Sequence, residues 1–77
     1  MNKYAIGDNI VKHIKRNNLN QRKLAERINV TEMTMSRWCS GLRQPSVYAL
    51  KRMSLVFNCT MEDLVYGMLE EDEYDVN

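Results

Sequence analysis

The sequence predicts an all-α fold: five short helices packed as one small domain. Two observations carry this. Apolar residues recur at intervals of three and four along most of the chain, the spacing that puts them on one helix face. Good helix-capping residues, Asn20, Thr31, Ser46 and Thr60, stand just before four of the five runs, and no strand pattern or internal repeat interrupts them. At 77 residues the chain holds one core, near the lower limit for a domain without staples. Its 44% apolar content is too high for a disordered segment.

The first helix is expected over roughly Ile6 to Arg16. Ile6, Ile10 and Ile14 form its stripe with Val11 beside them, and Lys12, Lys15 and Arg16 face outward. His13 falls off that stripe, so it is expected to be exposed; it has no partner at metal-ligand spacing. Asn17 and Asn18 end the helix. The second runs roughly from Gln21 to Ile28, with Asn20 as its cap and Leu24, Ala25 and Ile28 inward. Asn29 suits the left-handed backbone of a sharp turn, and Val30 plugs the corner. The third helix opens at Thr31 and carries Met35 and Trp38 inward at i and i+3. Trp38 is read as core, because the Met35 stripe needs a partner, rather than as a wedge between bases.

Ser40-Gly41-Leu42-Arg43-Gln44-Pro45 is the clear loop: Gly41 fits a helix C-terminus and Pro45 bars continuation. Ser46 caps a fourth helix, about Val47 to Phe57, with Val47, Leu50, Met53 and Phe57 as its core stripe. Asn58 ends it. Thr60 caps a short fifth helix, Asp63 approximates a capping box, and Met61, Leu64 and Val65 pack inward. Residues 1–69 are therefore expected to form the domain, and the acidic residues 70–77 a frayed tail.

There is no run of eighteen apolar residues and no signal-peptide pattern, so a soluble, cytoplasmic protein without membrane contact is expected. Cys39 and Cys59 lack metal-site or redox-motif spacing and read as reduced, mostly buried thiols. The net charge of +1 conceals segregation: all eleven bases lie in the first fifty-two positions against three acids, and from Met53 onward seven acids stand without a base. A polyanion is drawn to the first part and repelled by the second. With one His, no Gly-rich phosphate loop and no nucleophile–base set, neither an enzyme nor a bound cofactor is expected.

Two helices joined at a steep angle by a three- or four-residue turn are the helix-turn-helix layout, whose second helix enters the DNA major groove. The stretch resembles that of the lambda-repressor and Cro family, also called the xenobiotic-response-element type. The resemblance rests on Leu19, Gln21, Leu24-Ala25, Ile28, Thr31, Met35-Ser36-Arg37-Trp38, Gly41, Pro45-Ser46, Leu50 and Met53, and continues through Asn58-Cys59-Thr60-Met61 to Leu64. It implies a compact five-helix DNA-binding domain with helices two and three as the motif. Two positions depart from it: Asn29, where many members carry Gly, and Cys39, where many carry an acid that pairs with a base on the first helix.

Helix geometry and the resemblance point to the same contact positions. Glu32 and Met33 follow the Thr31 cap and Arg37 lies one turn on, so these three are the expected base readers. Arg37 can donate two hydrogen bonds to guanine, or simply hold a phosphate. Glu32 can accept from a cytosine amine, or serve only the helix N-terminus. Met33 can touch a thymine methyl, or be a tolerated surface residue. Gln21 resembles the family's phosphate-binding glutamine at a helix N-terminus. Arg22, Thr31, Ser40 and Arg43 flank the groove within reach of the backbone, and Ser36 is counted with them.

Double-stranded DNA is thus the expected partner, bound as a homodimer on two half-sites. Leu55, Tyr66, Met68 and Leu69, apolar beyond what the core stripes need, are the expected dimer surface. The favoured role is a small Cro-like phage or mobile-element repressor. The alternative is an antitoxin or another module that uses this fold to bind a protein partner, unknown from the sequence.

Overall fold

The computed structural model describes residues 5–67. Five helices follow one another: α1 Ile6–Arg16, α2 Gln21–Ile28, α3 Glu32–Ser40, α4 Val47–Phe57 and α5 Met61–Tyr66. No strand occurs among the described residues. Met68, Leu69 and the acidic tail 70–77 lie outside them.

Side-chain oxygens start four of the helices. The Lys23 amide donates to Asn20 Oδ1 at 2.8 Å, and those of Thr34 and Ala49 donate to the hydroxyls of Thr31 and Ser46, both at 3.1 Å. At α5 the box closes both ways: the Asp63 amide donates to Thr60 Oγ1 at 3.0 Å and the Thr60 amide to Asp63 Oδ2 at 3.2 Å. Such caps satisfy amides that have no intrahelical acceptor, each stabilising by about 1 kcal/mol. Left-handed residues end three helices: Asn29 (φ 64°), Gly41 (φ 85°) and Asn58 (φ 58°).

The core is drawn from all five helices. Ile10, Leu24, Met35, Met53 and Leu64 are fully buried at its centre, with Ile14, Ile28, Trp38, Leu50 and Phe57 around them. Val47 is a correction to the predicted stripe: it is 59% exposed, and Ala49 takes the buried place. Spacing of three to Leu50 suggested otherwise, but Val47 lies about 100° from the centre of the Ala49-Leu50-Met53-Phe57 stripe.

His13 is a second correction. It is 4% exposed, and its ring stacks on Phe57 with centroids 5.1 Å apart. The cause is the position of α1, which packs against both α3 and α5. Its buried face is wider than the isoleucine stripe: Gly7 lies at one border, and Asn9 and His13 at the other. Asn9 Nδ2 donates to the Leu64 carbonyl at 2.8 Å, so α1 is bonded to α5 across the sequence.

His13 Nε2 has no hydrogen-bond partner among the described residues. Burial lowers the pKa of His13 from its ordinary 6.5, aided by Arg16 and opposed by Asp63. Lowering means the unfolded chain binds the proton more readily. Stability from this group is therefore complete above the unfolded pKa and is lost as pH falls through the folded one. Thermal unfolding between about pH 5 and 7.5 should show Tm falling on acidification, and His13→Gln should flatten that limb. Equal slopes in both proteins would remove His13 as the cause.

Candidate nucleic-acid interface

The α2–α3 corner takes three residues. Asn29 turns left-handed while its amide and that of Val30 close onto the Glu26 and Ala25 carbonyls at 3.2 and 3.0 Å. Val30 is half-buried against the core, as a plug should be. Thr31 then caps α3, and its hydroxyl also lies 2.9 Å from that of Thr34.

α3 is divided lengthwise. Met35 and Trp38 are buried, with 0% and 9% exposure, and fix which side faces the core. Glu32, Met33, Ser36, Arg37 and Ser40 are exposed. Met33 is 62% exposed, a large apolar side chain left in water at the start of the helix. Glu32 lies in the first turn, where the helix dipole favours an acid.

The phosphate candidates stand on α2, on α3 and in the segments that flank α3. Gln21 is the first residue of α2 and half-buried; Arg22 and Thr31 are exposed. Arg22 Nε lies 3.9 Å from Glu26 Oε2, a solvated pair that holds the guanidinium only weakly. Ser40 Oγ donates to the Arg37 carbonyl at 3.2 Å. That carbonyl also accepts from the amides of Leu42 and Arg43, at 3.0 and 3.2 Å. The backbone of Arg43 is therefore tied to that of Arg37, and the loop cation keeps a set place relative to the helix.

α1 supports α3 from behind. A Cβ added at Gly7 would lie 2.5 Å from the carbonyl oxygens of both Trp38 and Cys39. Close backbone packing thus joins the two helices, and no ion pair links α1 to α3 among the described residues. Cys39 and Cys59 are half-buried rather than mostly buried, and burial raises both thiol pKa values, so they stay protonated and sluggish. No group of three His, Cys, Asp or Glu that could hold a metal occurs among the described residues.

Sequence periodicity did not single out Leu42 (74% exposed) or Tyr48 (77%), in the loop after α3 and the first turn of α4. It also missed Arg52, whose guanidinium reaches the Ile28 carbonyl from α4. Of the expected dimer surface, Leu55 and Tyr66 are exposed at 69% and 61%. Among the described residues no helix is long and apolar enough to cross a membrane.

Comparison with known proteins agrees with this geometry. The helix-turn-helix family model matches residues 12–64. A curated relative, the HTH-type transcriptional activator BcrR of Enterococcus faecalis, is 38% identical over 50 residues, which is 65% of this chain and 24% of that protein. The chain therefore spans about a quarter of that relative's length. The solution structure of the DNA-binding domain of the P22 C2 repressor superposes with a TM-score of 0.82 at 24% identity, covering 92% of this chain and 93% of that one. The crystal structure of the P22 c2 repressor in complex with a synthetic operator gives 0.75 at 22% identity, covering 82% and 96%. A transcriptional regulator from Listeria innocua gives 0.77 at 25% identity over 90% of this chain and 64% of that one.

Proposed function

Since this chain belongs to the Cro and repressor type of helix-turn-helix proteins, we propose that it is a sequence-specific transcriptional regulator, a small Cro-like repressor that binds operator DNA as a dimer. One observation carries the reading: α3 buries Met35 and Trp38 and leaves Glu32, Met33 and Arg37 together on its open face. A helix held rigidly by one side presents the other to a groove without loss of order on binding. The operator complex of a structural neighbour supports duplex DNA as the ligand. The repressor role follows the P22 neighbours, while the Enterococcus relative is named an activator. We assign it no catalytic step and propose the cytoplasm as its place of work.

In this reading Arg37 donates to a guanine edge, Glu32 accepts from a cytosine amine and Met33 meets a thymine methyl. Gln21, Arg22, Thr31, Ser36, Ser40 and Arg43 hold phosphates on either side. Ser40 and Thr31 must do so with hydroxyls already bonded within the chain. One such helix reads about four base pairs, and phosphate contacts alone give roughly 10⁻⁴ to 10⁻⁶ M. Doubling through a two-fold axis supplies the rest, with half-sites about 34–36 Å apart. Leu55 and Tyr66 offer that dimer apolar surface, and Met68 and Leu69 follow after Gly67 in the sequence.

Selection from a random duplex library tests the reading: recovery of a palindromic site is expected, and an empty selection at low salt would overturn it. On the selected site, sedimentation should find two chains per operator. Arg37→Ala should cost about 1–3 kcal/mol and relax preference at one base pair. Arg43→Ala should weaken all sequences alike and lower the salt slope by about one. Uniform weakening by Arg37→Ala would assign that side chain to phosphate instead.

A further inference from the structure

One contact in the α2–α3 corner comes from far away in sequence. Arg52, on α4, donates from Nη1 to the carbonyl of Ile28 at 3.1 Å, across twenty-four positions. Ile28 is the last residue of α2 and is itself buried. Its carbonyl receives no intrahelical donor, because the chain has already turned: the Asn29 and Val30 amides go back to Glu26 and Ala25. The guanidinium therefore fills the open acceptor at the negative end of the α2 dipole.

The location gives this bond a use beyond stability. Ile28 is separated from Glu32, the first residue of α3, by the three residues of the turn alone. The bonds that Asn29, Val30 and Thr31 make are local to α2 or α3, whereas Arg52 ties the corner to a third helix. A small swing of α3 about that corner is magnified along its length: Arg37 lies roughly 9 Å from Thr31 at the helical rise, so a tilt of about 10° displaces it by about 1.5 Å. That is enough to spoil a two-point hydrogen bond to a base edge. We propose that Arg52 is a positioning residue for base recognition, setting the angle of α3 through the Ile28 carbonyl without touching DNA. This rests on the DNA-binding reading above.

Two variants test it on the full chain, each assayed well below its own Tm against the selected operator and a scrambled duplex across a salt series. Arg52→Met keeps the aliphatic stem and removes every donor; Arg52→Lys keeps the charge and a donor but not the fork. Arg52→Met should lose about 10-fold on the operator, the scale of one spoiled base contact. The scrambled duplex should change by less than about 2-fold, and the salt slope should stay as in wild type. Arg52→Lys should recover part of the operator affinity.

Equal weakening on both duplexes with a slope lower by about one would make Arg52 a phosphate contact and overturn the proposal. A lower Tm with unchanged discrimination would reduce it to a structural residue and overturn it too. Wild type that cannot tell the operator from the scrambled duplex overturns the DNA reading and this inference with it. Wild type that discriminates, matched by Arg52→Met, overturns this inference alone.

Discussion

Trp38→Ala should lower the unfolding free energy by about 3–5 kcal/mol, the usual cost of emptying a large aromatic site. Trp38 is 9% exposed on the inner side of α3, beside the fully buried Met35. At roughly 0.05–0.15 kcal/mol per residue, a domain of this size holds only about 4–12 kcal/mol in total. The variant should therefore be largely unfolded at moderate temperature or in low urea. Because Trp38 is the single tryptophan, the titration must be followed by circular dichroism. A side chain acting as a wedge between bases would give the opposite result, unchanged stability and altered DNA bending. Unchanged stability would thus remove Trp38 from the core and revive the wedge.

Gly7→Ala should be destabilising by about 3 kcal/mol, against the trend for helices. In an open helix this change gains up to about 1 kcal/mol, because alanine is the better helix former. Here the new methyl would sit 2.5 Å from two carbonyl oxygens, those of Trp38 and Cys39. Both are backbone atoms, which cannot rotate away as a side chain can, so α1 and α3 must separate. For a domain of 60–100 residues each kcal/mol shifts Tm by about 4–8 °C, so a fall of about 12–24 °C is expected by calorimetry. DNA affinity should fall as well, since the helix that moves carries Arg37. A Tm equal to or above that of wild type would mean the two helices are not in backbone contact.

The helices were legible because their signals are local. A cap and the amide it accepts from lie three residues apart, as at Asn20, Thr31, Ser46 and Thr60, so sequence alone locates them. The left-handed ends at Asn29, Gly41 and Asn58 were likewise written in residue type. The exposed side of α3 followed from where Met35 and Trp38 must point. Periodicity failed where burial depends on how many neighbours a helix has. His13 is covered because α1 packs against α3 and α5 and lays this ring on Phe57 of α4, and Val47 is open because it lies at the border of its stripe. The bonds from Asn9 to Leu64 and from Arg52 to Ile28 had no signal at all. Nothing in a helical repeat marks a polar residue as the partner of a carbonyl fifty-five or twenty-four positions away.

The bond between Asn9 and the Leu64 carbonyl has a consequence for the order of folding. Two of the packed pairs, α2 with α3 and α4 with α5, join neighbours in the chain, and such local contacts form early and fast. The junction of α1 with α5 instead closes almost the whole described chain into one loop, so it is the step with the largest loss of chain entropy. α5 has six residues, too few to persist alone in water. It is held by its capping box, by Leu64 in the core and by Asn9. Opening at that seam releases α5 and α1 together, and with α1 goes the backbone support behind α3. Amides of the first and last helices should therefore exchange with solvent as one unit, ahead of the corner between α2 and α3.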